Sequence, residues 1–137
     1  VTAAYAVVDA AARRLTYEQA GHPTPLLFRG RATQAEPLPE AERIGGPALG
    51  LIDDAVYATA AVEFAPGDRL LLYTDGIFEA TNVAGQEFGP ARLARAFAAA
   101  PGDLASALAA TQAAAEQFTD GQPFADDVCL LACALRA

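Results

Sequence analysis

Residues 69–73 read RLLLY, so that Leu70, Leu71, Leu72 and Tyr73 follow one another between the turn pair Pro66-Gly67 and the tripeptide Thr74-Asp75-Gly76. A short apolar run bounded by turn residues is a strand, and one without polar alternation is buried on both faces. It needs a packed layer on each side, which points to a layered architecture.

The rest of the chain supplies candidate layers. Residues 4–8 (AYAVV) and 15–19 (LTYEQ) read as strands joined by a hairpin-length loop, and 26–29 form a third after Gly21 and Pro23. Residues 31–46, rich in Pro, Glu and Gly, read as a loop. The alternation of Val56, Ala58, Ala60 and Val62 predicts a half-buried strand over 55–64. After Gly76 the period changes. Residues 90–100 predict a helix with Pro90 in its first turn, and Asp103 is placed to cap a second helix carrying Leu104, Leu108, Ala115 and Phe118. Residues 126–136 return to strand. Strands, a helical pair and a last strand favour an α/β (α+β) fold with mostly antiparallel pairing over an alternating βαβ fold.

With 137 residues, 53% hydrophobic and 19% charged, the chain has the makings of one globular domain. No uncharged apolar run approaches the ~18 residues of a membrane span, and no basic apolar leader is present. The chain starts at Val1 and contains no Met, from which we expect a piece of a longer protein. A net charge of −8 makes nucleic acid a poor partner and suits a cation site. Cys129 and Cys133 would share a strand face roughly 13 Å apart at ~3.3 Å per residue, too far for a disulfide. They are expected to be buried free thiols in a reducing compartment, and a cytoplasmic location is expected.

Two acidic spots lie at strand ends: Asp75, where the 69–74 strand exits, and Asp126-Asp127, where the last strand begins. If those strands are antiparallel neighbours, the carboxylates meet at one sheet edge, where they repel unless a hard cation such as Mg²⁺ or Mn²⁺ holds them. Gly76 would let the backbone turn sharply there and approach a ligand closely. The plainer alternative is that Asp75-Gly76 is a hairpin turn and Asp126-Asp127 is solvated. His22 is the only histidine, and reads either as a turn residue packed beside Pro23 or as a substrate contact. Ser106, the sole serine, lies in a predicted helix without a nucleophile turn, and with no lysine there is no P-loop. Arg29, Arg43 and Arg69 could reach phosphate but read first as solvated surface residues.

Four stretches in order carry a resemblance: AGHPTPLLFR (20–29), GPALGLI (46–52), FAPGDRLLLYTDGIFEATN (64–82) and FADDVCLLACAL (124–135). Together they resemble the C-terminal part of a bacterial type 2C metal-dependent Ser/Thr protein phosphatase, in the branch of stage II sporulation protein E and the stress sigma-factor regulators. The resemblance implies a layered αββα fold, here without its N-terminal portion, and residues 1–137 as the C-terminal part of one phosphatase domain. It places a metal ligand at Asp75 and another at Asp126, with Asp127 as the neighbouring choice. Gly76 takes the turn, and Glu79 supports the site or starts a helix. It further implies two Mn²⁺ or Mg²⁺ ions that activate a water against a phosphoserine or phosphothreonine. The implied partner is a phosphoprotein of the anti-anti-sigma type. The family's upstream DxxGHG motif has no counterpart, since Gln19 and Ala20 precede Gly21-His22. A chain of this extent is expected to be weak or inactive alone, with uncovered sheet edges that invite a homodimer. The alternative is a non-catalytic binding or dimerisation module with a vestigial acidic pocket.

Overall fold

The computed structural model describes residues 1–30, 32–38, 45–100 and 102–136. Its first sheet is built on a hairpin. β1 (Ala3–Asp9) and β2 (Arg14–Ala20) pair antiparallel with Ala6 opposite Tyr17, and Asp9 Oδ1 accepts the Ala12 N–H at 2.8 Å in the connecting turn. A second sheet runs in the order β4 (Glu36–Pro37), β3 (Leu26–Phe28), β7 (Arg69–Tyr73), β8 (Leu130–Ala134), antiparallel throughout. The far edge of β2 is shared. Its first half pairs antiparallel with β6 (Ala60–Glu63), and its last two residues pair parallel with β5 (Gly45–Gly46).

Two buried clusters show how the layers stack. One gathers Leu15, Tyr17, Leu27, Phe64 and Leu70 from both sheets. The other joins Phe28, Leu71 and Tyr73 of the second sheet to Ile77 of α1 (Asp75–Phe78), Leu93 and Phe97 of α2 (Gly89–Ala99) and Ala115 of α3 (Leu104–Phe118). The layers therefore run sheet, sheet, helices, and β7 lies in the middle with Leu70 facing one cluster and Leu71 and Tyr73 the other. This is the layered α/β architecture with mostly antiparallel sheets that the sequence implies. Each fully buried Leu or Phe contributes about 1.5–3 kcal/mol relative to an exposed one, so the doubly buried strand is a principal source of stability.

The two helices are where periodicity puts them. Pro90 sits in the first turn of α2, and Asp103 caps α3 by accepting the Ser106 N–H at 2.8 Å. Other expectations need correction. The stretch read as a loop over 31–46 contains β4 and β5, each only two residues long, while Arg31 and 39–44, with Arg43, lie outside the described residues. The strand expected over 55–64 is confined to Ala60–Glu63, and Val56 is 88% exposed. The reason is competition for an edge, because β5 already pairs with the end of β2 that residues before Ala60 would need. The last strand begins at Leu130, not at Asp126. Both cysteines are free, but Cys129 is exposed and only Cys133 is partly buried, since Cys129 precedes β8 and faces outward between Val128 and Leu130, which pack on the core.

Candidate functional site

Chemistry-bearing residues collect at the end of the second sheet where β7 stops. The register Tyr73↔Leu130 carries the chain leaving β7 past the segment entering β8. Thr74 is in extended conformation, and Asp75 opens the one-turn helix α1 directly, so the Asp75-Gly76 pair is a helix start and no hairpin forms. Thr74 ties the two segments together with three bonds. Its N–H donates to Cys129 O at 3.1 Å, its hydroxyl donates to Asp127 O at 2.8 Å, and the same Oγ1 accepts the Cys129 N–H at 2.8 Å.

Gly76 makes the junction tight. A methyl on its Cα would stand 2.7 Å from Asp127 O and 2.9 Å from Asp126 O, closer than real Cβ atoms come. Glycine is needed for this approach of two backbones. Gly76 is not among the residues with positive φ, so the sharp turn expected of it is not its role. Asp75 and Asp126 are thus carried to one sheet edge on touching segments, both exposed. Asp126 Oδ1 accepts the Asp127 N–H at 2.7 Å, and among the described residues the Asp75 carboxylate has no hydrogen-bond or ion-pair partner.

The remaining candidates lie elsewhere. Glu79 ends α1, its N–H donating to Asp75 O at 3.0 Å, so it closes a helix where a helix start was expected. His22 is half-buried in the connection from β2 to β3. Arg29 and Arg69 are structural, not solvated surface residues. Arg29 bonds Asp68 at 2.8 Å and Glu36 at 3.2 Å, and Arg69 lies 5.4 Å from the ring centroids of both Phe28 and Phe97. Burial opposes charge on Asp68, yet N–H groups of Gly30 and Ala65 and the Arg29 guanidinium outweigh it and hold the carboxyl below the usual range. Neither Thr74 nor Asp68 is singled out by sequence reasoning. In the sequence Thr74 shows only as part of the Thr74-Asp75-Gly76 tripeptide, and Asp68 only as the residue after the Pro66-Gly67 turn.

The family model for stage II sporulation protein E (SpoIIE) matches residues 1–136. The chain belongs to the SpoIIE family. It is 32% identical over 80 residues to phosphoserine phosphatase RsbP of Bacillus subtilis (strain 168), covering 58% of this chain and 19% of that protein. Among solved structures, this SpoIIE-family chain superposes on the SiaA-PP2C domain of Pseudomonas aeruginosa with a TM-score of 0.75 and 24% identity, over 96% of this chain and 50% of that one. The phosphatase domain of the cell fate determinant SpoIIE from Bacillus subtilis gives 0.75 at 17% identity, over 99% of this chain and 59% of that one. At those identities the structural likeness is one of fold, and the fold is that of PP2C phosphatases. The chain spans about half the length of these domains.

The donors at the β7 edge of the SpoIIE-family chain fit a divalent cation in kind. They are hard carboxylate oxygens, of which those of Asp75 have no hydrogen-bond or ion-pair partner among the described residues, on segments that Gly76 lets approach and Thr74 bonds together. In number they are few. Among the described residues no three His, Cys, Asp or Glu side chains converge on one point.

Proposed function

We propose that this chain supplies the acidic edge of a metal-dependent protein-serine/threonine phosphatase that acts on phosphoserine or phosphothreonine in a regulatory protein. The observation that carries the reading is the close approach that Gly76 allows to the carbonyls of Asp126 and Asp127, which sets the helix start at Asp75 against the second acidic segment. Asp75 and Asp126, with Asp127 beside it, are the carboxylates that would hold Mn²⁺ or Mg²⁺, two ions in the complete domain. Such cations, when bound, supply Lewis acidity, making a water nucleophilic and neutralising phosphoryl charge. The chain's own part is to hold carboxylates at fixed spacing, with Gly76 permitting the approach and Glu79 closing the helix that Asp75 opens; a supporting role for His22 is carried by the resemblance alone. The name of RsbP supports phosphoserine as the substrate group. A regulator of the anti-anti-sigma type is the partner class we infer, with a cytoplasmic setting and a homodimer through uncovered sheet edges. No helix among the described residues is long and apolar enough to cross a membrane. Residues 1–137 are read as the C-terminal part of one phosphatase domain.

The test is phosphate release from a phosphoserine peptide by the intact protein with Mn²⁺. Asp75→Asn and Asp126→Asn should each lower turnover by about 100-fold or more, and unchanged turnover in both would remove the assignment. One observation favours a second reading, a binding or dimerisation module with a vestigial acidic pocket: no three ligating side chains converge among the described residues. That reading expects neither turnover nor saturable Mn²⁺ binding.

A further inference from the structure

Threonine at a helix N-cap ordinarily turns its hydroxyl onto an N–H of the first helical turn. Thr74 occupies the N-cap of α1 in extended conformation, yet makes no such bond. Its hydroxyl is turned across to the other chain segment, donating to Asp127 O and accepting from Cys129 N–H, both at 2.8 Å. The one O–H donor and one of the two lone pairs of this hydroxyl are therefore both given to the loop that carries Asp126 and Asp127. The backbone bond from Thr74 N to Cys129 O, at 3.1 Å, does not involve the side chain and would remain in the Val, Ser and Cys variants, and it reaches no residue before Cys129. Among the described residues, the one hydrogen bond that reaches Asp127 from the end of β7 is that from Thr74, and its own N–H is taken up by Asp126 Oδ1.

We infer that Thr74 is a positioning residue whose hydroxyl clamps the Asp126–Cys129 segment against the start of α1, setting the spacing between Asp75 and the second acidic pair. The inference rests on the metal-site reading above and deepens it. Thr74 is assigned no contact with substrate, only its bonds to this loop. It acts by removing the freedom of one carboxylate-bearing loop relative to the other, so that the cation meets a ready-made spacing instead of ordering the loop itself. Thr74→Val keeps the β-branched shape and deletes the hydroxyl, Thr74→Ser keeps the hydroxyl, and Thr74→Cys leaves a weaker donor and acceptor.

The experiment is Mn²⁺ titration of the intact protein by calorimetry, with amide hydrogen exchange at Cys129 read in metal-free buffer and Asp75→Asn as reference. We expect Thr74→Val to weaken Mn²⁺ binding by about tenfold or more and to speed Cys129 exchange. Thr74→Ser should stay within about threefold of wild type, and Thr74→Cys should fall between. Faster Cys129 exchange in Thr74→Val with wild-type Mn²⁺ affinity overturns the inference, because the clamp would then exist without serving the site. If Thr74→Val does not fold, the Ser and Cys variants decide, and equal affinity in both likewise overturns it. Wild-type Mn²⁺ affinity in Asp75→Asn has a separate meaning: the metal reading itself fails, and the role of Thr74 falls with it.

Discussion

Replacing Gly76 by alanine sets two physical effects against each other at one atom. On propensity alone the change should help, because alanine is favoured over glycine in a helix by about 1 kcal/mol. The structure opposes this. The new methyl would stand 2.7 Å from Asp127 O and 2.9 Å from Asp126 O, and its third neighbour is the Asp126 carbonyl carbon at 3.1 Å. Those distances are about half an ångström inside the ~3.3 Å at which carbon and carbonyl oxygen ordinarily meet. All three neighbours are backbone, which cannot swing aside as a side chain would. Overpacking of this kind costs about 1–3 kcal/mol. Moving the Asp127 carbonyl also breaks the bond from Thr74, a further loss of about 1 kcal/mol. The propensity gain offsets only that last loss, leaving a net destabilisation of about 1–3 kcal/mol. With a urea slope of about 2 kcal/mol per molar, the unfolding midpoint should drop by about 0.5–1.5 M, measured without metal by circular dichroism. An unchanged or raised midpoint would show that the close approach is not real and would refute the junction on which the site depends.

Asp68 is 4% exposed, and its lowered pKa gives a pH signature. Since the folded pKa is depressed, the stabilisation is complete above the ordinary carboxylate pKa and disappears as pH falls through the folded value, so Asp68→Asn should lower stability at pH 7 and flatten the acid limb of a stability–pH curve. Phe97 is fully buried with its centroid 5.1 Å from that of Phe28, and Phe97→Ala should cost about 3–5 kcal/mol in chemical denaturation. Cys129 is exposed whereas burial pushes the Cys133 thiol up, so iodoacetamide at pH 8 should alkylate Cys129 readily and Cys133 slowly, read by mass spectrometry. Equal labelling would contradict the placement of β8.

What the sequence discloses, and what it hides, follows from how local each feature is. Leu70–Tyr73 disclosed a strand between two layers because burial on both faces is written in consecutive residues. The meeting of the Asp75 and Asp126 segments was legible too, since it needed only that the last strand pair antiparallel with β7, as it does. The two-residue strands β4 and β5 were illegible because they exist only through distant partners, Leu26 and Leu27 for one and Gln19 and Ala20 for the other. The truncation of the 55–64 strand was equally hidden, because it depends on β5 taking the remaining edge of β2. α1 has four residues, too few to display a period. The Thr74 hydroxyl could not be assigned from its neighbours, since threonine at that position promises a cap.

A strand apolar on both faces has an ambiguity that its alternating neighbours lack. Sliding an ordinary strand by one residue turns its greasy face to water, and that penalty holds the register. Sliding β7 would exchange Leu70 and Leu72 for Leu71 and Tyr73 and bury nearly as much. Its alignment must therefore be stated at its ends. At one end Asp68 takes the N–H groups of Gly30 and Ala65 and the Arg29 guanidinium, and Gly67 N–H reaches Leu135 O at 2.9 Å. At the other, Tyr73 donates its hydroxyl to Thr24 O at 2.9 Å and Thr74 grips the approach to β8. The polar residues bracketing the greasiest strand thus hold a register that its own apolar pattern leaves weakly specified.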